Sequence, residues 1–148
     1  MSETKRSSVC LDANIVVNAL TPGPYSIQAI NLIDLWGRQQ ITLLAPSLLG
    51  FEVTSALRRM VYQKVIFPEH GESAFTAFRQ LAIRYSSRGE IFRQAWLLAK
   101  ELDRPRAYDT AYLAVARLNQ CDFWTADERL FNIAQPIYPW VRWITEAS

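Results

Sequence analysis

Four of the 14 acidic residues keep company that a carboxylate ordinarily avoids. Asp12 follows the apolar Val9-Cys10-Leu11, and Asp127 follows Phe123-Trp124-Thr125-Ala126. Asp109 opens a stretch rich in small and apolar residues, Ala111, Leu113, Ala114, Val115 and Ala116. Glu52 lies three residues after Leu49 and four before Ala56, where Leu49, Val53, Ala56, Leu57 and Met60 recur at helical spacing. Residues three and four apart are neighbours on a helix, so Glu52 falls beside or on the inward stripe. A buried carboxylate without a partner is costly and calls for a cation, a proton or a metal.

Each acid also has an ordinary structural role open to it. Asp12, Asp109 and Asp127 suit helix N-termini, where a carboxylate accepts from free amides and complements the helix dipole. Glu52 can pair with Arg58 or Arg59 at the rim. The joint pattern says more: two carboxylates at strand ends, one at a helix start and one on a helix's inner face. In a parallel sheet, strand ends and the helix starts that follow them share one rim. Four acids gathered there repel one another unless a divalent cation lies between them. An all-oxygen ligand set selects Mg²⁺ or Mn²⁺ over zinc. Such a cluster suits phosphoryl chemistry, in which a metal activates water and neutralises charge on the phosphate.

The elements that must position these acids alternate. Ser8–Leu11, 41–45, 83–86, 121–125 and 141–144 read as short strands. Helical stretches are predicted over 15–20, 26–39, from Pro46 to about Val65, from Pro68 onward, and over 90–102, 108–118 and 127–133. Pro46 and Pro68 are placed at helix starts, where proline is tolerated. Strands alternating with helices predict an α/β fold, three layers with a mostly parallel sheet between helices, and no linker divides residues 1–148.

Length and composition bound the rest. The chain has 148 residues, half of them hydrophobic and 20% charged, which suits one ordinary domain with a sizeable core. The apolar runs are too short to cross a membrane, Met1 to Ser8 is polar, and two cysteines make neither a disulfide framework nor a zinc site. A cytoplasmic protein is expected. Net charge is +2, yet residues 58–106 hold ten basic and five acidic side chains. Arginines suit phosphate contacts, and Arg58, Arg59, Arg84, Arg88 and Arg106 are candidates to guide a nucleic-acid backbone.

At the level of motifs the chain resembles the PIN-domain nucleases, especially the small VapC-type toxins of toxin–antitoxin systems. Val9 to Val16 is similar to the family's opening strand with its first aspartate, and Phe51 to Leu57 to its glutamate helix. Tyr108 to Ala114 is similar to its third acidic motif, and Trp124 to Leu130 to its fourth. The resemblance covers nearly the whole chain. It implies that Asp12, Glu52, Asp109 and Asp127 bind Mg²⁺ or Mn²⁺ and support RNA cleavage. Thr125 is similar to a position that helps orient the site, and Asn14 stands where a side chain can hold a metal-bound water. The resemblance further implies a five-stranded parallel sheet, frequently a homodimer, and a small antitoxin that lays a segment into the acid-lined groove.

Other chemistries find less support. His70, the only histidine, lies in the polar run Pro68 to Glu72, and no G-x-S-x-G motif accompanies it. There is no P-loop and no G-x-G-x-x-G. A receiver-like signalling domain lacks its late-strand lysine and its acidic pair. The principal alternative is a PIN-like module that binds RNA or protein without cutting, whose mark is loss of one or more acids. Aromatic residues offer base-stacking surfaces, but Trp36, Trp96 and Trp124 sit in settings that favour the core. Tyr138, Trp140 and Trp143 look like interface or edge-packing residues, and Cys10 and Cys121 like small strand hydrophobes.

Overall fold

The computed structural model of the protein describes residues 7–146. Most of the polar segment from Met1 to Ser8 therefore lies outside the described residues. Five strands, β1 (Ser8–Leu11), β2 (Thr42–Pro46), β3 (Ile83–Ser86), β4 (Asp122–Thr125) and β5 (Val141–Trp143), form one sheet in the order β3-β2-β1-β4-β5. Every neighbouring pair is parallel. Parallel strands require crossovers, and helices supply them. These are α1 (Ala13–Leu20), α2 (Ser26–Arg38), α3 (Leu48–Tyr62), α4 (Pro68–Gln80), α5 (Glu90–Glu101), α6 (Tyr108–Leu118) and α7 (Glu128–Ala134).

The central strand shows why the sheet is covered on both faces. Val9, Cys10 and Leu11 are consecutive, so they point alternately to opposite faces, and all three are buried. Helix α6 packs on β1 and β2 and carries α5 on its other side. Its residues Tyr112 to Ala116 are buried without a break, which makes α6 the most enclosed helix. Tyr112 meets Phe123 of β4, with ring centroids 5.9 Å apart. Helix α1 packs against α2, α3 and α4, and α7 against β5 and β4. No helix among the described residues is long and apolar enough to cross a membrane.

The register places the site. Leu11 pairs with Trp124, and the backbone N–H of Asp12 donates to the Trp124 carbonyl at 2.9 Å. Asp12 thus leaves β1 beside the last residue of β4, Thr125. Because β1 and β4 are adjacent at the point where the strand order reverses, a crevice opens beyond their carboxyl ends.

Several expectations need correction. Pro46 does not open a helix; it ends β2, paired with Ser86, and α3 begins at Leu48. The pairing of β2 with β1 stops at Leu44, so proline's missing N–H leaves no gap in that ladder. The helix also ends at Tyr62 rather than near Val65. Lys64 adopts φ 61°, and the Val65 N–H reaches back to the Met60 carbonyl at 2.8 Å. That left-handed closure satisfies carbonyls the helix would otherwise leave free. Gln40, Asp103 and Gln120 close α2, α5 and α6 in the same left-handed conformation, without glycine.

Trp36 is buried and Trp124 packs against the core, as expected, but Trp96 is 60% exposed. Its neighbours Ile91, Ala95, Leu98 and Ala99 form the inward stripe of α5, and one residue beyond Ala95 a side chain turns away by about 100°. Tyr138 is buried, stacked with Trp140 and covered by the Arg117 guanidinium 5.2 Å from its ring centre. Trp140 and Trp143 are half-buried along the edge of the sheet.

Helices α3 and α4 approach closely at Gly71. A β-carbon there would lie 2.4 Å from Cγ2 of Val61, in the facing helix. Overpacking of this kind costs about 1–3 kcal/mol. Gly71→Ala is expected to lower unfolding free energy by that amount in urea titration, against Gly37→Ala, whose β-carbon meets nothing, as the control.

Candidate active site

All four predicted carboxylates come to the carboxyl-end rim, each delivered by a different local device. Asp12 is the first residue after β1 and precedes α1, yet its side chain makes no cap hydrogen bond to that helix. Its Oδ2 accepts instead from Thr125 Oγ1 at 2.9 Å and from Asn14 Nδ2 at 3.2 Å. The ordinary role as an N-cap is thus not the one it takes. Asp127 does take it: Oδ1 accepts from the Leu130 N–H at 3.2 Å, opening α7. Asp109 sits in the first turn of α6, half-buried, with Ala107 in the cap position. Glu52 projects from α3 between its buried stripe and solvent. Its partner is not Arg58 or Arg59 but the hydroxyl of Tyr112, which donates to Oε1.

Thr125 links two of these acids. Its hydroxyl donates to Asp12 and accepts from the Asp127 backbone N–H at 2.9 Å, so one buried side chain fixes both strand ends. Asn14 engages both ends of its carboxamide within the protein. Nδ2 donates to Asp12, and Oδ1 accepts from the Ala126 N–H at 3.0 Å. Its observed work is to tie the start of α1 to the β4–α7 turn.

The electrostatics follow from the crowding. Burial, and then the charges of Asp109, Glu52 and Asp127, push the Asp12 carboxyl up to about 7, although the Thr125 hydrogen bond opposes them. Glu52 is raised by burial and by Asp109, against the stabilising Tyr112 hydroxyl. Asp109 is raised by burial and by Asp127, with Arg104 pulling the other way. The acids therefore share one electrostatic neighbourhood. Among the described residues, however, no three Asp, Glu, His or Cys side chains stand together in a metal-holding arrangement. The donors are all oxygen, and two of them, Asp12 and Glu52, are already oriented by neighbouring hydrogen-bond donors. That chemistry fits a hard divalent cation, whose charge would remove the mutual repulsion.

Tyr112 is the residue that sequence reasoning left without a role. It lies one helical turn beyond Asp109, inside the same motif, but its i+3 spacing is equally that of a core aromatic. Only the packing of α6 on the sheet, with the hydrogen bond from Tyr112 to Glu52 of α3, shows that its ring is core while its hydroxyl serves the site.

Residues 10–143 match the sequence family described as the PIN domain. The chain belongs to the PIN-domain family. Over 98 residues it is 34% identical to the VapC ribonuclease Mb0985 of Mycobacterium bovis, covering 66% of this chain and 74% of the relative. The same figures hold for ribonuclease VapC9 of Mycobacterium tuberculosis. In fold, this PIN domain is similar to a chain in the crystal structure of VapBC2 from Rickettsia felis bound to a DNA fragment from their promoter. The TM-score is 0.64 at 16% identity, covering 92% of this chain and 96% of that one.

Two outcomes follow for the PIN domain without divalent cations. Unfolded, Asp12 releases its proton near pH 4; folded, it keeps the proton to about pH 7. The folded state therefore binds more protons in between, and this group's contribution to stability falls as pH rises from about 4 to about 7. Thermal melts in a chelator should show that decline, and Asp12→Asn should flatten it. Tyr112→Phe keeps the ring beside Phe123 and should cost about 1 kcal/mol in urea unfolding, the worth of one hydrogen bond.

Proposed function

We propose that this PIN domain is a divalent-metal-dependent endoribonuclease, the toxin of a toxin–antitoxin pair, that hydrolyses RNA phosphodiester bonds. The observation that carries the proposal is the convergence of Asp12, Glu52, Asp109 and Asp127 on one rim, in a chain related to proteins named VapC ribonucleases. Asp12, Asp109 and Asp127, with Glu52, are the residues that would hold Mg²⁺ or Mn²⁺. When bound, such an ion supplies charge neutralisation at the phosphate and lowers the pKa of water.

The chain's own residues then divide the work. Thr125 and Asn14 orient Asp12 and keep one of its oxygens engaged. Tyr112 holds Glu52 in place from below. The raised proton affinity of Glu52 suits it to accept a proton from the attacking water, since a base works best when its pKa lies near the working pH. The charge of Arg104 opposes the rise in the Asp109 pKa. Of the arginines expected to guide the backbone, Arg88 is ion-paired with Glu90, Arg58 lies over the Tyr62 ring, and Arg106 borders a cavity beside Asp109.

The likeness to a chain of a VapBC complex supports a small antitoxin as partner. On this reading an antitoxin segment reaches the acid-lined groove and offers an arginine to the carboxylates. A homodimer acting in the cytoplasm completes the proposal, and sedimentation at micromolar concentrations checks the dimer.

Partner-free protein is expected to cleave a structured RNA pool with Mn²⁺ and not with a chelator. Asp109→Asn should abolish cutting, and Glu52→Gln should slow it about 100-fold or more. Metal-independent RNA binding without cutting by well-folded protein would instead establish the non-catalytic module. Independently of activity, Mn²⁺ should raise the melting temperature more at pH 8 than at pH 5, because at pH 5 protons compete for Asp12.

A further inference from the structure

Beside the acid cluster, at the carboxyl ends of β2 and β3, lies a cavity of about 660 Å³, within the range of small-ligand sites. Its walls come from the ends of those strands and from the starts of α5 and α6. Phe92, Trp96 and Tyr108 line it while remaining 80%, 60% and 62% exposed. Tyr108 is the residue before Asp109, so the cavity and the candidate active site share the first turn of α6. Arg88 and Arg106 also line the cavity, with serine hydroxyls from Ser47, Ser86 and Ser87, and no carboxylate does. Arg106 forms no ion pair among the described residues.

We propose that this cavity is a nucleotide subsite, in which an unpaired base of single-stranded RNA stacks on Trp96 and Tyr108 and its phosphate meets Arg106. The proposal rests on the reading of the acid rim as an RNA-cleaving site, and it names where the nucleotide flanking the scissile phosphate is held. Three exposed aromatic faces give sequence-tolerant stacking, and guanidinium groups are matched to phosphate. The absence of carboxylates from the lining separates this cavity from the acid rim beside it. A polyanion can thus lie across both, with its base in the cavity and the next phosphate at the carboxylates.

The test measures binding of a labelled single-stranded RNA decamer with a cleavage-resistant 2′-O-methyl backbone, and cleavage of the same sequence in natural RNA. Trp96→Ala is expected to weaken binding roughly 5- to 150-fold. Trp96→Phe should restore most of the affinity, and Arg106→Ala should reduce its salt dependence. Trp96 is exposed, so both variants should fold, which circular dichroism checks. If the parent cuts RNA and Trp96→Ala binds the decamer as tightly as the parent, the subsite is wrong and the nuclease reading stands. Trp96-dependent binding by a parent that cuts no RNA would sink the nuclease reading and leave the subsite. A Trp96→Ala protein that changes from dimer to monomer in sedimentation, with RNA binding unaltered, would assign this face to a second copy of the chain and overturn the proposal.

Discussion

Like charges held close together and partly out of water set the terms for this structure. Asp12 is the centre of the problem, because burial and three neighbouring carboxylates all favour its protonated form. Hydrogen bonds answer part of the cost: Thr125 and Asn14 donate to the same oxygen of Asp12, and Tyr112 donates to Glu52. Hydrogen bonds to a carboxylate are stronger than those between neutral groups. They orient the acids without cancelling their repulsion, which leaves a cluster complementary to positive charge.

The parallel sheet is what makes that arrangement possible. With β1 and β4 adjacent and in parallel register, the residues after Leu11 and Trp124 emerge side by side. Helix α6 completes the arrangement from the opposite direction, since its first turn brings Asp109 to the rim while its buried body packs on β1 and β2. Tyr112 does both jobs in one residue. Its ring is nearly inaccessible against Phe123, and its hydroxyl reaches Glu52 on α3. Core packing and site geometry are therefore coupled through α6, and stability given up in holding acids together is offset by the most enclosed helix of the fold.

The surroundings of the cluster are unlike it in character. The acid rim gives way at Tyr108 to an aromatic and cationic cavity, so the first turn of α6 marks a boundary between two electrostatic environments. On the proposed reading, the base of an RNA strand lies on the aromatic side of that boundary and its next phosphate on the acid side. Exposed Phe92 and Trp96 belong to this surface and not to the core because α5 spends its inward stripe on Ile91, Ala95, Leu98 and Ala99.

The sequence by itself determined the alternation of strands and helices, the parallel sheet and the four acids. Local periodicity and apolar runs ending in a carboxylate are features of neighbouring residues, and they survive without knowledge of the fold. β1, β3 and α6 even had their limits written in the chain. The rest depended on partners distant in sequence. Whether Pro46 ends a strand or opens a helix turned on its pairing with Ser86 of β3, some 40 residues away. Whether Glu52 met an arginine or a tyrosine turned on the packing of α6, 60 residues away along the chain. That Asn14 meets the Ala126 amide turned on the β1–β4 register. Trp96 looked apolar in context, but an α-helix has one inward stripe, and only the assembled layers decided which residues fill it.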